Sequence, residues 1–410
     1  MSPSRPHIAI VGAGISGLAA AILLHRAGFP VRVFERFDAA RPVGSGLMIQ
    51  PTGLAVMERL GLREDLERRG HRIDRLHGAT DRGRVIFDVA YADLDPGLHA
   101  LGVHRAALHG VLWESFVTTG GPLETSATIV ATEAGAAGQA SLVDERGRRH
   151  GRFDLVIDAS GAQSRLRAAI SARRAHPFAY GAVWATIPDI GLAPARLDQR
   201  YRAARSMVGY LPVGTIGGEG PPLAALFWSL KPAEHAAWAG RYDAWRDEAR
   251  TLWPELAPVL AGLDGPERFT LAAYSHFMAP RFHAGRLALI GDSAHATSPQ
   301  LGQGANHGLL DAVALADCLS ETGDIDAALH AYDGRRRRQL RFYQAASRLL
   351  TGFFQSDSRL LAATRDAAFP LMRHVPYLRR EMVRTLAGLK TGLFSHATAD
   401  AIARSDRRRG

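Results

Sequence analysis

Cysteine, lysine and long apolar runs are scarce in this 410-residue sequence. Its one cysteine, Cys318, cannot form an internal disulfide or a cysteine-based zinc site, which indicates a reducing compartment. The apolar segment 8–24 is interrupted by glycines and followed by a strand pattern instead of a cleavage site. It is therefore interpreted neither as a signal peptide nor as a membrane helix, which needs about 20 apolar residues. We expect a cytoplasmic protein.

The basic residues are almost all arginine. The net charge is +10, and Lys231 and Lys390 are the two lysines among 50 basic residues. Arginine clusters such as 335–338 and 407–409 have no interleaved aromatic residues and match no nucleic-acid-binding module, so we expect no nucleic-acid partner. A weak contact with an anionic membrane surface stays open.

Three glycines follow the first apolar strand pattern. Residues 7–36 predict a strand, a glycine turn, a helix and a second strand that ends at Glu35. The spacing of Gly12, Gly14 and Gly17 is that of a dinucleotide-binding turn, where the pyrophosphate approaches the backbone at a helix N-terminus. The carboxylate that closes the second strand is placed for a ribose hydroxyl. We therefore predict a dinucleotide site.

A second glycine-rich turn lies far along the chain. Residues 291–312, GDSAHATSPQLGQGANHGLLDA, follow the apolar run 287–290 and precede a helical pattern. A nicotinamide dehydrogenase does not need such a second turn. A protein that permanently binds a long dinucleotide does need one. With GAGISG, RPVGSG, VHRAAL and DASGAQSRLR in this order, the chain resembles the single-component (class A) FAD-dependent aromatic hydroxylases of the para-hydroxybenzoate hydroxylase type.

The resemblance implies FAD as the cofactor and assigns residues to it. Asp292 would bond a ribityl hydroxyl, and a helix beginning near Ala305 would direct its positive end at the flavin N1 and C2 carbonyl. The residues implied at the reaction centre, against the isoalloxazine edge, are Pro299, Gly302 and Gln303. The residues implied to bind FAD are Gly12, Gly14, Ser16, Gly17, Glu35, Arg36, Arg41, Gly46, Arg105, Ser160, Gly161, Gly291, Asp292, Gly304, Ala305 and Asn306.

One motif departs from the family pattern. Where the family usually has Asp-Gly, this chain has Ser160 and Gly161, and Asp158 lies two residues earlier. In the family this turn is implicated in binding both FAD and the pyridine nucleotide, so the binding mode of the reductant stays open. We hypothesise that the Ser160 hydroxyl holds the turn.

The patterning and the resemblance together predict an α/β fold. A Rossmann-like FAD-binding domain is expected from residues 1–73, 100–177 and 276–325, and a β-sheet substrate domain from 74–99 and 178–275. Residues 326–410 are expected to form C-terminal helices, in which Leu340, Tyr343, Leu350 and Phe354 are spaced for one buried face.

The resemblance also implies a reaction. It is that of a monooxygenase that uses NADPH or NADH and O2, through a flavin C4a-hydroperoxide, to hydroxylate a small aromatic, phenol-like substrate. The C-terminal segment 342–389 is loosely similar to ubiquinone-pathway hydroxylases, which favours a lipophilic or polycyclic substrate, although the many arginines leave an acidic one open. We expect a monomer or homodimer. The side chains expected in the substrate wall are Tyr201, Tyr210, Phe227, Trp228 and Tyr274.

Other chemistries fit less well. A flavin-dependent halogenase needs a lysine near the substrate and a Trp-x-Trp-x-Ile-Pro segment, but WATIP at Trp184 has one tryptophan and no lysine precedes Lys231. There is no Gly-x-Ser-x-Gly elbow and no histidine pattern for a metal. His295 and His307 are interpreted as loop residues with satisfied hydrogen bonds. Two alternatives stay open. One is a flavin-dependent reductase or desaturase, and the other is an interaction protein with a vestigial nucleotide fold.

Overall fold

The computed structural model describes residues 5–39, 44–135 and 138–403. In these ranges the strands are β1 (Ile8–Val11), β2 (Val31–Phe34), β3 (Gly46–Ile49), β4 (His71–Ile73), β5 (Arg75–Thr80), β6 (Val85–Ala90), β7 (Ala100–His104), β8 (Leu123–Glu124), β9 (Ile129–Ala134), β10 (Ala140–Asp144), β11 (Arg149–Phe153), β12 (Leu155–Asp158), β13 (His176–Pro177), β14 (Gly181–Pro188), β15 (Arg196–Arg202), β16 (Ser206–Gly214), β17 (Leu223–Leu230), β18 (Thr270–Ala272), β19 (Ser275–His276), β20 (His283–Ala284) and β21 (Leu287–Leu289). The α-helices are α1 (Ile15–Arg26), α2 (Pro51–Arg59), α3 (Arg63–Arg69), α4 (Arg105–Thr118), α5 (His235–Gly240), α6 (Tyr242–Leu252), α7 (Ala257–Ala261), α8 (Gly304–Glu321), α9 (Ile325–Phe354), α10 (Arg359–Met372), α11 (Pro376–Leu386) and α12 (Ala399–Ala403).

A six-stranded sheet brings distant parts of the chain together. Its order is β20-β21-β12-β1-β2-β8, and β1 pairs in parallel with both β2 and β12, while β12 pairs in parallel with β21. Every residue of β1, β12 and β21 is buried, as expected of parallel strands covered by helices on both faces. Because their carboxyl ends share one edge, the turns after these three strands lie side by side, where dinucleotides bind in such sheets.

A seven-stranded, mostly antiparallel sheet lies beside it, in the order β18-β14-β17-β16-β15-β5-β6. One face of this sheet packs on a tryptophan-rich core that includes α6 and α7. Alternate residues of the same strands point to the opposite face, which meets the helices that follow. The sheet takes its strands from 75–90 and 181–272. We propose that the domains have the boundaries that the sequence predicts.

The C-terminal helices close the second face. Helix α9 packs against α8, and α10 and α11 lie against β6 of the seven-stranded sheet. Leu340, Tyr343 and Phe354 of α9 are buried, while Leu350 is half-buried. None of the helices in the described ranges combines the length and apolar character needed to cross a membrane. The predicted α/β fold with a sheet domain and C-terminal helices is confirmed.

Candidate active site

A continuous cavity of about 1310 Å³ extends from the edge of the six-stranded sheet to the C-terminal helices. It exceeds the roughly 300–1,000 Å³ of an ordinary ligand pocket. Both glycine-rich turns and the middle motif line one end, and the seven-stranded sheet with α9, α10 and α11 lines the other. The cavity therefore has room for a large ligand and a second molecule beside it.

The first glycine turn is packed against the middle motif. Gly12 has φ of +107°, and a Cβ added there would lie 2.6 Å from the carbonyl oxygen of Ala159. A Cβ on Gly17 would lie 1.9 Å from the carbonyl oxygen of Gly12. By contrast, a Cβ on Gly14 would meet no atom within 4 Å. Gly12 and Gly17 therefore allow β1, α1 and β12 to pack closely, and Gly14 borders the open cavity.

The N-terminus of α1 is left open towards the cavity. Its N-cap residue, Gly14, provides no side chain to bond the first-turn N–H groups. Glu35 closes β2 and accepts hydrogen bonds from the backbone N–H of Ala13 at 2.8 Å and of Phe37 at 3.1 Å. Each carboxylate oxygen has two lone pairs, so Glu35 can still accept from a ligand hydroxyl. This end offers N–H donors for an anion and a carboxylate for a sugar.

The middle motif is held by the buried Asp158. Its Oδ1 accepts from the backbone N–H of Ser160 at 2.9 Å and from the Ser160 hydroxyl at 2.5 Å, and its Oδ2 accepts from the Ser164 hydroxyl. Burial raises the pKa of Asp158, against the lowering effect of these hydrogen bonds. The serines thus fix a turn whose Gly161 has φ of +87° and borders the cavity.

The second glycine turn meets the first one. A Cβ on Gly291 would lie 2.6 Å from the Ser16 hydroxyl, so α1 packs directly on the start of this turn. Asp292 is exposed and lines the cavity. Helix α8 begins at Gly304, and its N-cap residue Gln303 makes no side-chain bond to the first turn. A second uncapped helix N-terminus therefore faces the same cavity.

A buried ion network behind this turn was not predicted from the sequence. Asp311 of α8 accepts from the Gly291 N–H at 2.8 Å, from His295 Nε2 at 2.5 Å and from Arg336 Nε of α9 at 2.7 Å. Burial opposes ionisation, but His295 and Arg336 outweigh it and hold the pKa of Asp311 far below its usual range. These residues are far apart in sequence, and no local pattern indicates the pairing. The network anchors the turn to two helices.

The two histidines of this segment, His295 and His307, differ in their hydrogen bonding. His295 is satisfied by Asp311, as predicted. His307 lies in α8 and not in a loop, and neither of its ring nitrogens has a hydrogen-bond partner in the described part of the chain. Its ring packs on Tyr343 with centroids 4.6 Å apart, and burial lowers its pKa well below the ordinary value. Neither histidine lines the cavity.

The far end of the cavity is an apolar chamber, defined here as the part between the seven-stranded sheet and the C-terminal helices. Of the aromatic residues predicted for a substrate wall, Tyr201, Phe227 and Tyr274 line it. The sheet lines the chamber with alternate residues such as Leu76, Phe87, Trp184, Leu197, Met207 and Leu211. The helices line it with Leu349, Leu350, Phe353, Phe354, Phe369, Met372, Leu378, Met382 and Leu386.

Two of the predicted wall residues lie elsewhere. The Tyr210 hydroxyl donates to Asp189, and the Trp228 ring packs edge-on against Trp245 with centroids 5.8 Å apart. Both side chains belong to the core on the opposite face of the sheet, because successive residues of a strand point to opposite faces and these two alternate with the residues that line the cavity. The structure therefore does not bring Tyr210 or Trp228 to the cavity.

The predicted cofactor residues are brought to the cavity with few exceptions. Gly17 and Gly291 pack behind its lining, and Asn306 bonds the backbone of Gln50 and Met48. Arg41 lies outside the described residues. The others line the cavity, namely Gly12, Gly14, Ser16, Glu35, Arg36, Gly46, Arg105, Ser160, Gly161, Asp292, Pro299, Gly302, Gln303, Gly304 and Ala305.

Comparison with known proteins agrees with this geometry. The family described as FAD binding domain matches residues 5–341. The chain belongs to this FAD-binding family. The 3-amino-4-hydroxybenzoate 2-monooxygenase of Streptomyces cremeus is 30% identical over 374 residues, which cover 85% of this chain and 88% of that protein. The 6-hydroxynicotinate 3-monooxygenase of Bordetella bronchiseptica is 26% identical over 366 residues, which cover 84% of this chain and 91% of that protein.

A solved structure shows the same fold. Klebsiella pneumoniae HpxO, in complex with FAD and uric acid, has a TM-score of 0.78 at 22% identity, over 93% of this chain and 97% of that one. This protein is an FAD-dependent monooxygenase, and the predicted family, enzyme class and FAD cofactor are confirmed.

Proposed function

We propose that this FAD-dependent monooxygenase hydroxylates a small aromatic, phenol-like substrate with O2, and that NADPH or NADH is its reductant. The observation that carries the proposal is the continuity of the cavity, because the predicted FAD residues and an apolar chamber line one space. Relatives named for a hydroxybenzoate and a hydroxynicotinate support an aromatic substrate.

The cofactor end fits an extended dinucleotide. We propose that the uncapped N-terminus of α1 receives the pyrophosphate, Glu35 a ribose hydroxyl and Asp292 a ribityl hydroxyl. Glycine at position 14 leaves room on the cavity side that a side chain would fill. Arg36 and Arg105 supply positive charge to the same end of the cavity.

Bound FAD supplies the redox chemistry, taking electrons from a nicotinamide and activating O2 for transfer of one oxygen atom. The chain's own contribution is the environment. The first-turn N–H groups of α8 favour negative charge at the Gln303 side of the cavity, and the apolar chamber excludes water from the reacting groups.

Tyr274 is proposed to orient the substrate. Its hydroxyl accepts a hydrogen bond from Trp184 Nε1 at 2.8 Å, and its own proton has no acceptor among the described residues. Burial raises the pKa of Tyr274 to about 12, so the hydroxyl stays protonated at neutral pH. It can therefore donate to a carbonyl or phenol oxygen of the substrate and does not serve as a base.

The test uses purified protein loaded with FAD and a panel of phenols. We expect one class of phenol to accelerate NADPH or NADH oxidation, with O2 consumed and hydroxylated product formed in equal amounts. Tyr274→Phe should retain FAD but raise KM by about tenfold, the effect of about 1.4 kcal/mol from one lost hydrogen bond. Reductant oxidation without substrate-dependent O2 consumption would instead indicate a reductase or desaturase.

A further inference from the structure

The charged residues that line the cavity are unevenly distributed. Although the protein carries a net charge of +10, the cationic or titratable basic lining residues are Arg36, His109, Arg105 and Arg165, all on segments that surround the predicted cofactor end. Within the described ranges, no arginine, lysine or histidine lines the apolar chamber. A substrate carboxylate would therefore find no cation there.

The ionised group of the chamber is an acid. Glu381 of α11 lines the chamber, where it accepts hydrogen bonds from Lys390 Nζ at 2.6 Å and Arg384 Nη1 at 2.5 Å. Burial opposes ionisation of Glu381, but these two bonds outweigh it and lower the pKa of the carboxyl. Both cations are thus already paired with Glu381, and neither lines the chamber, so neither is presented to a substrate carboxylate.

The polar atoms that remain free are neutral. The hydroxyls of Tyr201 and Tyr274 both lie on the chamber wall, and no residue in the described part of the chain accepts a hydrogen bond from either. Burial is the main cause that raises the pKa of each tyrosine. Such donors suit one or two uncharged oxygen atoms on an aromatic ring.

The opposite wall is apolar and open at its rim. Phe353, Phe369, Met372 and Met382 are half-buried, and Leu349 lines the cavity while 65% exposed. Flexible methionine side chains adapt to a variable apolar chain. A hydrocarbon substituent on the substrate would cover this wall and extend towards the rim at Leu349.

From this arrangement we propose that the substrate is a neutral aromatic compound that bears an apolar hydrocarbon substituent, and that the chamber rejects aromatic carboxylates. The inference rests on the proposed function, since it names the substrate class of the same site. It distinguishes this chain from the relatives named for a hydroxybenzoate and a hydroxynicotinate.

The test measures ligand binding to the oxidised, FAD-loaded protein, without reductant, from changes in flavin absorbance. The ligands are phenol, para-propylphenol, para-pentylphenol, 5-(para-hydroxyphenyl)pentanoate and the methyl ester of that acid. We expect Kd to fall about threefold to fourfold for each added methylene, the equivalent of about 0.8 kcal/mol per buried CH2. Replacing the terminal methyl by a carboxylate should weaken binding at least 100-fold, and the methyl ester should restore most of the affinity.

Two variants test whether the alkyl chain binds at the helical wall of the chamber. Met382→Arg should abolish the gain from the pentyl chain and tighten binding of the pentanoate, whereas Leu360→Arg, at a position 76% exposed and outside the cavity lining, should leave the series unchanged. If Met382→Arg does not retain FAD, the ligand series on the parent protein decides. Affinity independent of chain length, a pentanoate as tight as pentylphenol, or no binding of any alkylphenol would overturn the inference. Because no turnover is involved, its failure is separate from failure to consume O2, which would overturn the proposed function.

Discussion

At the scale of single residues, the three glycines of the first turn have different roles. A Cβ at Gly12 or Gly17 would meet protein atoms, whereas a Cβ at Gly14 would meet open space on the cavity side. The motif therefore combines two packing positions with one ligand position, and substitutions can separate packing from cofactor binding.

Alanine substitutions at Gly14 and Gly17 should have opposite signatures. Gly14 has φ of −80° and open space around its Cβ direction, so Gly14→Ala should leave the stability of the apo protein within about 1 kcal/mol but weaken FAD binding. Gly17→Ala places a Cβ against the Gly12 carbonyl and should destabilise the apo protein by about 1–3 kcal/mol. Apo thermal unfolding and FAD titration measure the two effects. Equal losses of apo stability in both variants would contradict this division.

Ser160 is predicted to secure FAD through Asp158. Ser160→Ala removes the hydroxyl that bonds Asp158 Oδ1 and should raise the Kd for FAD about fivefold, as expected for about 1 kcal/mol. Ser160→Thr retains the hydroxyl and serves as the control. If Ser160→Ala released flavin no faster than the parent protein, the hypothesis that this hydroxyl holds the turn would be wrong.

At the scale of elements, the glycine turn at Gly291 depends on two helices. Asp311 on α8 and Arg336 on α9 are both buried, and their ion pair fixes the position of the Gly291 N–H and His295. Removing one partner of a buried ion pair leaves an uncompensated charge.

The expected result for Asp311→Asn is a loss of about 3–5 kcal/mol in the free energy of unfolding, accompanied by weaker FAD retention. The matched control is Glu321→Gln, which breaks the pair with Arg335 further along the same two helices, where both side chains are 44% exposed. That change should cost under about 1 kcal/mol. Denaturant unfolding measures the free energy of unfolding of both variants. Similar losses of stability in Asp311→Asn and Glu321→Gln would show that the buried network has no special role.

The elements that the sequence predicted are those with a local signal. The strand, glycine turn and helix of residues 7–36 follow from spacing alone, and the second turn follows from its glycines. Strand β15 lies within the predicted sheet domain but has no local signal of its own, because its sequence RLDQRYR is highly charged. It is stabilised by contacts of Asp198 with His77, Arg196 and Arg200.

Side-chain direction was harder to predict than strand position. Strands β16 and β17 are buried on both faces, so the pattern of apolar residues does not reveal which face borders the cavity. Tyr210 and Trp228 were therefore placed with Phe227 although they point the other way. The Asp311 network likewise arises only from the packing of α8 on α9.

At the scale of the whole molecule, several buried histidines are kept uncharged. Burial lowers the pKa of His104, His276 and His307, and for His276 nearby Arg348 and His176 add to the effect and bring the pKa to about 4. Below about pH 6.5 the unfolded chain binds protons at these sites that the folded protein does not. The stability that these neutral histidines contribute is therefore fully present above that pH, and the free energy of unfolding falls as the pH decreases below it.

The share of this pH dependence that comes from His276 can be measured. Between pH 7 and pH 5 the parent protein should lose stability, and His276→Gln should remove about 1 kcal/mol of that loss. His374→Gln, a change on the exposed surface, is the control and should leave the slope unaltered. Thermal unfolding at each pH measures both. A parent protein that is equally stable at pH 5 and pH 7 would contradict the assignment.

The proposed function requires that one cavity hold FAD at one end and an aromatic substrate at the other, with O2 activated between them. Turnover under 18O2 with an accepted phenol, followed by mass spectrometry of the product, tests this most directly. We expect one 18O atom in each hydroxylated product molecule and consumption of one reductant molecule with it. A product without label, or a protein that binds no flavin when FAD is supplied, would contradict it.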